Sequence, residues 1–350
     1  MRRSLLVLPI LLTWLAVTAR ASEPVRVEGP VLGFVFDRAS GGVRPILGMA
    51  GASLFGEPVV LGIDANRAAI SSVGGYVLGT AADTGRVTLF RDFVYGAPGI
   101  AIGNADPAPD RIVLSTNGSA AALFYGDRNA IQVFANLPSS PQFRGEVSLF
   151  GLPGPVSALA ISDDGEAILA GARNGDGRES VMLLSPGADP RVLGSAGRIA
   201  ATAFFAGKPD AVFADSAAGS VYWIRNVRGA AEFVALPGGE IAKPVALQVT
   251  SDDRRILVAG AGAVASLDLQ GSAPTVTRCD CVISGLDRLR GNSVFRVTEV
   301  SAAPSWLFDA GTSEPRFLFV PRAVDESPRA IPTERPLPRP TAPLPQGGVR

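Results

Sequence analysis

ALAISDDGEAILA, from Ala158 to Ala170, reads as an apolar strand, a tight polar turn and a second apolar strand. The same pattern returns as ALQVTSDDRRILV from Ala246 to Val258, with AFFAGKPDAVFA (Ala203 to Ala214) between them. RIVLSTNGSAAALF, Arg111 to Phe124, is a fourth copy. AAISSVGGYVL (Ala68 to Leu78) and FRVTEVSAAPSWLF (Phe295 to Phe308) are weaker ones. No long stretch carries the i, i+3, i+4, i+7 apolar stripe of a helix, and forty glycines punctuate short runs of Val, Leu, Ile and Phe. That combination defines an all-β chain of hairpins.

The turns sit near Gly75, Gly118, Gly165, Pro209, Arg254 and Pro304, separated by 43, 47, 44, 45 and 50 residues. A repeat of this length holds several strands, and third strands such as SVMLL (Ser180 to Leu184) and SVYWI (Ser220 to Ile224) follow the hairpins. One such unit cannot bury both faces of its sheet alone, so the units must stack in a ring, which predicts a single β-propeller. The stretch from Val31 to Leu47 reads as the outer half of a blade, and the last repeat, Ser293 to Val320, shows no clear outer strand of its own. The N- and C-terminal strands are therefore expected to share one blade and leave no open edge. Counting turns favours six blades; seven with one abbreviated blade also fit.

The S-D-D-G turn beginning at Ser162, its copy from Ser251 to Arg254, and the blade period resemble bacterial extracytoplasmic propellers of the WD-repeat-like, YVTN and TolB-like group. The resemblance covers most of residues 31–322 and implies a fold; members of the group include scaffolds, binders and a minority of enzymes. No Trp-Asp dipeptide is present, a departure from the strict WD repeat.

The chain ends read differently. Arg2 and Arg3, the apolar run LLVLPILLTWLAV from Leu5 to Val17, and Ala19-Arg20-Ala21 before Ser22 form a secretory signal with its cleavage site. Residues 1–21 are expected to be removed, giving a periplasmic or secreted protein. No later run approaches the roughly 18 apolar residues of a spanning helix. From Glu326 to Arg350 seven of 25 residues are proline and none is aromatic, which predicts a Pro-rich disordered tail. The propeller is thereby placed at residues 22–325.

Composition narrows the function. Basic and acidic residues number 32 each, so there is no electrostatic footprint for nucleic acid. Histidine is absent, which excludes Ser-His-Asp and Cys-His nucleophiles and every His-ligated metal site. Cys279-Asp280-Cys281 is the unusual cluster. Its thiols could form a structural disulfide in an oxidising compartment, remain as buried thiols, or contribute with Asp280 to a metal or redox site. Paired carboxylates at Asp163-Asp164 and Asp252-Asp253 could bind calcium or act as acid and base, but a position repeated between blades reads first as turn chemistry. The loop from Asn174 to Glu179 and the sequon at Asn117-Gly118-Ser119 read likewise as turns. Tyr222, Trp223, Trp306, Phe317 and Phe319 fall in strand patterns and read as packing between blades. The sequence points to no cofactor. It predicts a binding or scaffolding module for an unknown protein or small-molecule ligand, held on one ring face or in the central channel. The competing class is a lyase or hydrolase working there with carboxylates or Tyr.

Overall fold

The computed structural model describes residues 29–236, 241–300 and 304–322. Among them lie seven antiparallel sheets, each built from consecutive strands. These are blades 1 to 7, spanning residues 31–55, 65–101, 111–148, 156–196, 199–236, 246–278 and 287–320. Blade 1 has three strands and the other six have four. The first strand of each blade is innermost: Val31–Asp37, Ala65–Ser71, Arg111–Leu114, Val156–Ile161, Ile199–Phe204, Ala246–Val249 and Asp287–Arg290. They stand around a central channel, and the inner strand of blade 1 packs between those of blades 7 and 2.

Packing explains why the ring holds. Seven clusters of buried apolar side chains each fill one seam between neighbouring blades. The seam of blades 4 and 5 gathers Phe204, Phe213 and Ile224 of blade 5 with Ala158, Ala160, Leu169, Val181 and Leu183 of blade 4, so side chains of mixed size fill it from both sides. The seam of blades 7 and 1 joins Leu289, Leu307 and Val320 to Val35 and Ile46. Closure is therefore made by stacking.

This arrangement corrects two sequence expectations. The propeller has seven blades rather than six, and its first and last described strands do not share a blade. The stretch from Val31 to Leu47 is the inner hairpin of blade 1, and blade 7 completes its own four strands with Arg316–Val320. Among the described residues blade 1 has no fourth strand, and its turn at Gly41 precedes the turn at Gly75 by only 34 residues and escapes a period in the forties. In blade 7 the pair between Phe295 and Phe308 joins the second and third strands, one place further out than in the other repeats.

Gly33 marks the tightest point of the closure. A Cβ there would lie 2.6 Å from Leu289 Cβ and 3.0 Å from its backbone. Gly33→Ala is expected to destabilise the ring by about 1–3 kcal/mol, because backbone rather than a flexible side-chain tip must give way. Chemical denaturation measures this, and an unchanged midpoint would mean that the closure is loose.

Candidate functional site

The turns between inner and second strands of blades 3, 4 and 6 share one hydrogen-bond scheme. In blade 4, Ala167 N–H donates to Ser162 Oγ at 3.0 Å, Glu166 N–H donates to Asp164 Oδ1 at 3.0 Å, and Gly165 has a φ of 72°. In blade 6 the same places are held by Thr250, Asp252 and Asp253, which itself adopts a φ of 55°. Blade 3 uses Ser115, Asn117 and Gly118. The structural equivalence is therefore Ser162 with Thr250, not with Ser251: the two SDD strings are offset by one residue. What repeats is a hydroxyl, a short carboxylate or amide two residues later, and then a left-handed residue.

Side chains left over from this scheme tie neighbouring blades together. Asp163 Oδ1 accepts the N–H of Asn117 at 2.9 Å. Asp253 accepts the N–H groups of Ala206 and Gly207 at 2.8 Å each, and Asn292 Oδ1 accepts that of Ser251 at 2.8 Å. Asp164 is held by Arg228, whose Nη2 lies 2.6 Å from each carboxylate oxygen. Burial alone raises the Asp164 carboxyl, but Arg228 and Ser162 more than offset it and keep it below the usual range. Burial raises Asp163 above that range. The two acidic pairs are thus divided among turn, seam and ion pair.

The other sequence candidates are placed as follows. Cys279 and Cys281 are joined by a disulfide in the connection from blade 6 to blade 7, with Cα atoms 5.2 Å apart, and both pack against the core of that seam. Among the described residues, no group of three or more Cys, Asp or Glu side chains is gathered to hold a metal. Asn174 Oδ1 accepts from Ser180 and Asp176 Oδ1 from Arg178 N–H, so this loop spends its oxygens on its own hairpin. Tyr222 stacks on Phe213 at 5.0 Å, Trp223 lies 5.6 Å from Phe205, and Trp306 pairs with Phe319 and Phe308 with Phe317 across strands. Closing so small a loop removes little entropy from the unfolded chain, so Cys279→Ser/Cys281→Ser is expected to leave stability nearly unchanged. Thiol labelling of the native, unreduced protein should find no reactive thiol.

Carboxylates that collect backbone donors make the fold acid-sensitive. Burial raises Asp215, yet four N–H groups, from Gly197, Arg198, Ala217 and Ala218, bring it below its ordinary value of 3.8. A depressed folded pKa contributes stability that is present above the unfolded value and lost as pH falls through the folded one. Stability is therefore expected to drop below about pH 4. In Asp215→Asn it should be lower at neutral pH and flatter in acid, which denaturation midpoints from about pH 2 to 7 would show.

The place where blades converge is the channel. A cavity of about 390 Å³ is lined by residues of all seven inner strands. Its one cationic inner-strand residue among those described, Arg288 of blade 7, reaches across it. Nη1 donates to the Thr116 carbonyl of blade 3 at 3.1 Å, and Nη2 donates to the Val249 carbonyl of blade 6 at the opposite arm of the guanidinium. Thr116 in turn donates its hydroxyl to the Phe204 carbonyl of blade 5 at 2.8 Å. Inner strands present unpaired backbone edges to the channel, and two of these three bonds satisfy carbonyls on them, at Val249 and Phe204. Two buried polar atoms of the lining make no hydrogen bond: Arg288 Nε and Thr202 Oγ1. Burial pushes the Arg288 guanidinium down from its ordinary range, and Asp163 and Asp252 partly restore it from a distance. The carboxylate in the described lining is Asp287, paired with Arg296, and no tyrosine is present there.

A roomier cavity, about 640 Å³, lies on the rim between blades 3, 4 and 5. Two of its arginines are engaged, Arg228 on Asp164 and Arg191 on the Val227 and Gly229 carbonyls, while Arg144 is exposed; this cavity draws its lining from three blades, whereas all seven converge on the channel. Sequence reading missed Arg288 because its strand, D-R-L-R, looks like a solvated loop. The available signal was the Gly291-Asn292-Ser293 turn, 37 residues after Arg254.

The fold and the convergent channel define a β-propeller. Solved structures agree. The chain is similar to a functionally unknown protein from Desulfotomaculum acetoxidans, at 15% identity and a TM-score of 0.56, covering 83% of this chain and 99% of that one. It is also similar to the Cps50 (Swd1) β-propeller domain of Myceliophteria thermophila, at 12% identity and a TM-score of 0.54, covering 73% and 86%. The WD40 repeats of RRP9 align at 14% identity and a TM-score of 0.50, covering 73% and 80%. Identities this low establish the fold alone. No protein-family model matches the chain, and no curated protein matches its sequence.

Proposed function

We propose that this chain is a bacterial extracytoplasmic propeller, exported by the signal at residues 1–21, that serves as a binding module with its ligand in the central channel. The signal and the Pro-rich segment lie outside the described residues, so export rests on the n-region, the apolar run and the Ala19-Arg20-Ala21 site. The observation that carries the binding reading is the channel itself: a cavity of about 390 Å³, lined by every blade, that keeps two buried polar atoms without partners. Cavities of roughly 300–1,000 Å³ with a few convergent polar groups are the usual form of small-molecule sites. Among the described residues no helix is long and apolar enough to cross a membrane.

Two measurements test this. N-terminal sequencing of exported protein should begin at Ser22, and an intact Met1 would contradict the export reading. Ligand-observed NMR against a panel of small acids, amines, alcohols and sugars should give binders that are lost in Gln248→Trp, which narrows the channel. A panel without any channel-dependent binder would contradict the site.

A further inference from the structure

We infer that the channel takes a small organic anion with an apolar body, its carboxylate seated on Arg288. The inference rests on the channel being the binding site and adds the chemical class of the ligand. The lining is divided around the ring. Blades 1 to 4 bring Phe34, Phe36, Ile70, Ile112, Leu114 and Leu159, with hydroxyls only at the turn end. Blades 5 to 7 add Phe204 and Leu289 but also the polar groups, Thr202, Gln248, Arg288 and the Asp287–Arg296 pair, which carry a net positive charge. A second cavity of about 290 Å³ shares Phe34, Ile70 and Leu289 with the channel and continues past Phe93 and Val94, extending the apolar side.

The charge argument selects the sign. Arg288 places a guanidinium inside the ring and spends two donors on neutral carbonyls. A charge withdrawn from water is costly unless an opposite charge reaches it, and the two acidic residues that influence Arg288 do so only from a distance. The N–H groups of Arg288 beyond those two, with the Thr202 side chain of blade 5 in the same lining, are what a carboxylate can bond. An amine would meet like charge. An alcohol could take one of these bonds but would leave the guanidinium uncompensated.

The test titrates hexanoate, 1-hexanol and hexylamine into the mature protein by isothermal calorimetry and ligand-observed NMR, with folding of each variant checked by circular dichroism. Hexanoate should bind and the other two should bind at least roughly tenfold more weakly. Arg288→Gln should weaken hexanoate by roughly ten- to a hundredfold, and Thr202→Val by about fivefold. Should Arg288→Gln fail to fold, Arg288→Lys keeps the charge and should hold hexanoate within about tenfold of wild type, with Thr202→Val carrying the loss. Hexanol binding as tightly as hexanoate, or hexanoate indifferent to Arg288→Gln or Thr202→Val, would overturn the inference. Channel-dependent binders that are all neutral would sink the anion while leaving the channel as the site. No channel-dependent binder at all would remove the site itself.

Discussion

Phe213→Ala is expected to cost about 3–5 kcal/mol. Phe213 lies on the second strand of blade 5 with its ring in the seam toward blade 4, 5.0 Å from Tyr222 and 5.9 Å from Phe233. Across the seam the same cluster holds Ala158, Ala160 and Ala167 beside Leu169, Val181 and Leu183, close-packed side chains that can fill only part of the space the ring vacates. The cavity would therefore persist, and the cost should combine lost transfer energy with lost dispersion contacts. A fall in melting temperature on the order of 10 °C follows. A loss below about 1 kcal/mol would mean that the two blades slide together, and that the seams are softer than their packing indicates.

Glu179→Ala is expected to cost about 2–5 kcal/mol through a different mechanism. Glu179 is 1% exposed, and its Oε2 accepts the Ser157 hydroxyl at 2.7 Å and the Ile199 N–H of blade 5 at 2.8 Å. It thus joins the third strand of blade 4 to the inner strands of blades 4 and 5. Removing the carboxylate strands both donors in a buried place, and alanine can replace neither bond. Glu179→Gln keeps an acceptor oxygen and should recover part of the loss. Equal midpoints for the Gln and Ala variants would show that the bonds are not what stabilises this seam.

Legibility in the sequence followed local physics closely. Blades 2 to 6 announce themselves because each inner hairpin sets an apolar strand on either side of a polar turn, as in ALAISDDGEAILA. Blade 7 shows only its second and third strands, from Phe295 to Phe308, because two of the four residues in its inner strand Asp287–Arg290 are arginines, and Arg288 acts across the channel instead of in a core. Blade 1 hid for another reason: with three strands it shortens the spacing on which the count depends. The SDD repeat was visible as letters but shifted by one residue as structure, since the backbone answers to the hydroxyl and the left-handed residue rather than to the string. Nothing in the inner strand of blade 7 taken alone shows that Arg288 meets carbonyls of blades 3 and 6, because those partners lie 172 and 39 residues away in sequence.

The channel as binding site is tested most directly by protection of a single thiol inside it. Gln248→Cys, placed in the Cys279→Ser/Cys281→Ser background, gives one thiol on the inner strand of blade 6 within the channel lining. Its rate of modification by a small methanethiosulfonate reagent is measured with and without a saturating ligand from the NMR panel. The expected result is a rate at least roughly tenfold slower with ligand, together with an unchanged rate for a control thiol introduced by Asp189→Cys at the exposed rim. An equal rate for the Gln248→Cys thiol with and without ligand would place the ligand elsewhere and contradict the account.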